Sequence, residues 1–76
     1  MKKQLLLNFK NSGKISAILD SNDELQGFVV EECSINDMIN QLKIGRNAAN
    51  FGLRNQCIIL LTLLEIYPAK EEDTNR

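Results

Sequence analysis

The chain has 76 residues, 43% apolar and 25% charged, with a formal net charge of −1. That length restricts it to one domain near the lower size limit for an unaided hydrophobic core, and the ordinary apolar and charged fractions exclude a disordered polyelectrolyte. The near-neutral charge excludes a protein whose whole surface engages nucleic acid or anionic lipid.

Leu5, Leu7 and Phe9 alternate with Gln4, Asn8 and Lys10. Period-two alternation predicts a half-buried strand, with Leu6 interrupting the two-sided pattern. Asn11-Ser12-Gly13 supplies turn chemistry, and Ile15, Ala17 and Leu19 then alternate as a second strand. The polar cluster Asp20-Ser21-Asn22-Asp23 predicts a second turn. A third strand follows from Leu25 to Glu32, centred on Phe28, Val29 and Val30, with Gly27 marking a bulge. Short turns between three strands predict an antiparallel meander whose Leu5/Leu7/Phe9 and Ile15/Ala17/Leu19 face needs a cover.

Ser34 with Asp37 three residues on forms a relaxed capping box, flanked by Cys33 and Met38 as a hydrophobic staple. Ile35, Met38, Ile39 and Leu42 fall at i, i+3, i+4 and i+7, the spacing of an amphipathic helix, and Gly45 is placed to end it. Beyond Arg46 a second stripe, Ala49, Leu53, Cys57, Leu60, Leu64 and Tyr67, steps by three and four. Ile59, Leu63 and Ile66 make a further stripe beside it. The β-branched residues Ile58, Ile59, Thr62 and Ile66 also allow a buried strand over 58–66, but the leucines and the continuous stripe favour helix. Pro68 ends the helix. The expected architecture is α+β: one domain over residues 1–68, a three-stranded antiparallel β-meander followed by two α-helices packed on one face. Residues 69–76 are expected to be a disordered polar tail.

The chain has no histidine, which removes imidazole bases, Ser-His and Cys-His pairs and His ligand sets. Cys33 and Cys57 lie at apolar positions without zinc spacing, so reduced core thiols are expected and no metal. Glu31-Glu32 point to opposite faces of a strand, and Glu71-Glu72 fall in the expected tail. No phosphate loop is present, since Gly45 and Gly52 lack its spacing and its Lys-Ser/Thr. No enzyme and no cofactor are therefore expected. The basic start Met1-Lys2-Lys3 is followed by too broken an apolar run for a signal peptide, and the Cys57–Tyr67 run is too short to span a membrane. A cytoplasmic location is expected.

Two binding roles remain. If Cys57, Leu60, Leu64 and Tyr67 pack on the sheet, Ile59, Leu63 and Ile66 are left over as an interface, for a homodimer or an unidentified protein partner. The expected function is a small non-catalytic interaction or regulatory protein. The alternative is DNA binding through a helix over 46–54, with Arg46, Asn47, Asn50 and Arg54 facing the duplex, since Arg and Asn make bidentate contacts to base edges. A short helix, an Ile-Gly turn and a helix with a polar start resembles the helix-turn-helix motif of small DNA-binding regulators, over a stretch centred on Met38 to Leu53. Leu42 and Ile44 match its inward positions and Ala49 its small residue. Ile39, Lys43 and Gly52 depart from it.

Overall fold

The computed structural model describes residues 1–72. Strands β1 (Lys2–Asn8), β2 (Lys14–Leu19) and β3 (Leu25–Glu31) form the antiparallel meander. The turns form where local side chains satisfy the backbone. Asn8 Oδ1 accepts from the Lys10 N–H at 2.9 Å, and Asp20 Oδ1 accepts from the Asn22 and Glu24 N–H groups at 2.8 and 2.9 Å. Gly13 leaves the first turn at φ +103°, where a Cβ would also collide with Cys33.

The β1–β2 register shifts between Leu5 and Leu7, so Leu6 is an inserted residue. That bulge accounts for three consecutive leucines in one strand. Leu6 and Leu7 pack toward the core while Leu5 is 54% exposed, which corrects the expectation that Leu5 faces inward. A second bulge inserts Gln26 in β3, next to Gly27. Gly27 has its own reason: a Cβ there would sit 2.8 Å from the Pro68 carbonyl oxygen.

Helix α1 (Ile35–Gly45) starts at Ser34, whose Oγ accepts from the Asp37 N–H at 3.0 Å. Met38 and Leu42 are fully buried. Gly45 is the last residue of α1 rather than a left-handed exit, and a Cβ there would run into Cys57 Sγ. Its role is close approach of the two helices. Helix α2 (Phe51–Leu63) begins at Asn50, whose Oδ1 accepts from the Leu53 N–H at 3.0 Å. Residues 58–63 are thus helical rather than strand, and Leu64–Ile66 turn out of the helix before Pro68.

Ala69–Glu72, expected to belong to a disordered tail, instead form strand β4, parallel to β3, and residues 73–76 lie outside the described part. Sheet order is β1-β2-β3-β4. Parallel neighbours need a crossover, which α1 and α2 supply. The Phe28 N–H donates to the Pro68 carbonyl at 2.9 Å, and Glu71 Oε2 accepts from Ile35 N–H at 2.9 Å, tying β4 to both β3 and the start of α1. The core lies between the helices and one sheet face, where Ile15, Ala17, Phe28 and Val30 meet Met38, Leu42, Cys57 and Leu60. No helix among the described residues is long and apolar enough to cross a membrane.

Candidate protein interaction surface

Helix periodicity divides α2 into an inner face and two flanks. Cys57 and Leu60 point inward and are buried, with Leu53, Leu61 and Leu64 packed partly against the core. The flank three and seven residues on from Gln56 carries Ile59 and Leu63. Gln56 Nε2 donates to the Leu6 carbonyl at 3.1 Å, so this flank looks toward β1, one of the two edge strands among the described residues. Ile59 and Leu63 line an apolar groove of about 280 Å³ whose other wall includes Gln4, Leu6, Ala17 and Leu19.

Ile59 is 56% exposed and Ile66, in the turn beyond the helix, 70%. Leu63 differs from them: it is half-buried and shared between the core and the groove. The exposed apolar surface is also wider than the sequence indicated. Phe51, Ile58 and Ile44 are exposed, as is Leu5 on the opposite face of β1. The only charged side chain within α2 is Arg54. A helix so poor in charge and so apolar on its outer side leaves an apolar patch in water, of the kind found at interaction sites, ligand grooves and membrane contacts alike.

The residues proposed for DNA contact do not share one helix. Arg46 caps α1, its backbone N–H donating to the Leu42 carbonyl at 2.9 Å. Asn47 lies in the connection between the helices and donates from Nδ2 to the Lys43 carbonyl at 3.4 Å. The Asn50 side chain is engaged as the α2 cap, and the Arg54 guanidinium sits 4.6 Å above the Phe51 ring centroid. The expected 46–54 helix is therefore a helix end, a connection and one turn of α2.

Both thiols are pushed above their ordinary 9.0: Cys33 by burial and then by Asp37, Glu71 and Glu32, and Cys57 by burial alone. A thiol held protonated is a poor nucleophile and a poor metal ligand. Among the described residues no group of three or more His, Cys, Asp or Glu is placed to hold a metal ion. On the sheet face away from the helices, Lys3 reaches Glu31 at 3.4 Å and Glu72 at 3.5 Å, bridging β1, β3 and β4. Partial burial would lower the Lys3 ammonium, but the two carboxylates outweigh it and hold it above its ordinary value. Sequence pattern could not show this cluster, because its members come from three strands far apart in the chain. No family model, no curated protein and no solved structure matches this chain.

Proposed function

We propose that this protein is a non-catalytic interaction module and small regulator that works as a homodimer, joined through the α2 flank that carries Ile59 and Leu63 and through Ile66 in the turn beyond it. The observation that carries this reading is the exposure of Ile59 beside an apolar groove, on a helix with one charged side chain, together with exposed Ile66 in the turn that follows the helix. Water in contact with that surface costs free energy in proportion to its apolar area, and a second copy removes it. A two-fold pairing is the simplest closed arrangement that covers it.

Light scattering tests the proposal. The chain is expected to have the mass of two copies, and the double variant Ile59→Asp/Ile66→Asp the mass of one with an unchanged far-ultraviolet circular dichroism spectrum. Both side chains are largely exposed, so the aspartates cost the monomer little. A single-copy mass for the parent chain, or an unchanged two-copy mass for the variant, overturns the reading. DNA binding has less support, because Asn50 already caps α2 and Arg54 folds onto Phe51. A duplex titration that weakened steeply with salt would revive it.

A further inference from the structure

Charge is segregated along the chain. Residues 38–64 contain Lys43, Arg46 and Arg54 and no acid, although the net charge is −1, so every Asp and Glu lies elsewhere. The fold gathers these cations at one corner of the helical layer. Gly45 lies so close to Cys57 that a Cβ there would run into its Sγ, which sets the end of α1 beside the first turns of α2. Lys43, Arg46 and Arg54 flank that contact. None of the three forms an ion pair among the described residues, whereas Lys2, Lys3 and Lys14 do. Asp37 and Glu65, the acids nearest in sequence, belong to the other ends, in the first turn of α1 and the turn beyond α2. Large apolar side chains stand in water at the same corner. Ile44 is 67% exposed and Phe51 66%, with exposed Ile58 two turns on from Phe51 along the same face of α2.

We infer that this corner docks on an anionic phospholipid bilayer, with Ile44, Phe51 and Ile58 entering the interface and Lys43, Arg46 and Arg54 at the phosphates. The inference uses the outer side of α2 rather than its flank toward β1, so it goes beyond the homodimer reading and does not rest on it. Charge complementarity selects the occupant. Unpaired cations favour an anionic partner, and the apolar residues interleaved with them favour one whose charge overlies hydrocarbon. A nucleic-acid backbone offers phosphates but no hydrocarbon for Ile44 and Phe51 to enter. A second copy would set these cations against their own counterparts across a two-fold axis. An acidic peptide helix would need a groove, whereas Ile44 and Phe51 project. The Arg54 guanidinium already sits 4.6 Å above the Phe51 ring centroid, so the ring can descend toward the acyl chains while the charge stays at phosphate level. The acids elsewhere in the chain are repelled by the same surface and so fix which face meets it.

Vesicle flotation tests the inference. The whole chain is expected to float with vesicles of phosphatidylserine and phosphatidylcholine at low salt, and not with vesicles of phosphatidylcholine alone. Each basic residue near an anionic surface is worth about fivefold in partitioning. Lys43→Gln/Arg46→Gln is therefore expected to bind at least about tenfold more weakly, with its circular dichroism unchanged. The chain has no tryptophan, so Phe51→Trp reports insertion directly, its emission shifting to the blue on binding, and Ile58→Trp serves as a second reporter. No flotation with the anionic vesicles, or equal flotation of the double variant, overturns the inference. Flotation with unshifted emission from both tryptophans also overturns it, because adhesion would then be electrostatic alone. Binding to a DNA duplex without binding to vesicles overturns it in favour of nucleic acid. None of these outcomes alters the mass read by light scattering, so the homodimer reading stands or falls separately.

Discussion

Helices α1 and α2 follow one another in the chain and rest on the same sheet, but they are built to different ends. α1 buries Met38 and Leu42 and turns Asn36, Asp37, Asn40 and Lys43 to water. Its polar face is complete, with Ile44 the one large apolar exception. α2 buries Cys57 and Leu60 on its inner face and still shows Phe51, Ile58 and Ile59 outside. The fold accounts for every apolar position of α1 that points inward, and for five of the eight apolar side chains of α2, leaving Phe51, Ile58 and Ile59 exposed. What separates the two helices is therefore the outer face, polar on α1 and largely apolar on α2, since the inner faces obey the same packing rules.

The comparison breaks first if the inner faces are not equivalent. Leu42→Ala and Leu60→Ala each remove a buried side chain from the shared core. Each is expected to destabilise the chain by about 2–5 kcal/mol in denaturant unfolding. A small effect at Leu60 alone would mean that α2 adheres loosely and that its outer surface is not a rigid platform.

The helix starts sharpen it further. Ser34→Ala and Asn50→Ala each remove one side-chain acceptor from an exposed first turn, and each is expected to cost about 0.5–2 kcal/mol. Glu71→Ala is expected to fall in the same range, because it removes a second acceptor at the start of α1. A Glu71→Ala cost near zero in the same urea titration would show that β4 holds by backbone pairing alone.

The smallest effect concerns pH. Cys33 and Cys57 have thiols raised above 9.0 in the folded chain, as Lys3 is raised above 10.5. A raised folded value gives stability that is fully present below the unfolded value and is lost as pH climbs through the folded one. The unfolding midpoint is expected to be flat through neutral pH and to decline above about 9. Cys33→Ser with Cys57→Ala should make that decline shallower, and an unchanged slope would assign it to Lys3 and its carboxylates.

Much of the fold was legible locally because its signals are local. Alternation around Ile15-Ala17-Leu19, the Asp20 turn, the Ser34 cap and the i, i+3, i+4, i+7 spacing of α1 all act within a few residues, and each element formed where they pointed. The residues Ile59 and Ile66 were legible too, as an apolar surplus beside a stripe already assigned to the core. The start of α2 was not. Ala49 continues the spacing of the stripe, but the Asn50 side chain ends the connection by taking the Leu53 N–H.

By itself the sequence determined the α+β class, the meander, the two helices and the absence of imidazole chemistry, because composition and short-range periodicity are properties of the chain alone. Tertiary structure decided what depends on partners distant in sequence. Leu5 points outward because pairing with β2 places a bulge at Leu6. The charged Ala69–Glu72 segment is a strand because β3 offers it a free edge and Ile35 offers Glu71 a hydrogen bond across 36 positions. Gly27 and Gly45 matter for what approaches them, the Pro68 carbonyl and Cys57, rather than for their own backbone angles. Such contacts carry no period in the sequence, and only closing the chain into a sheet and two helices brings them together.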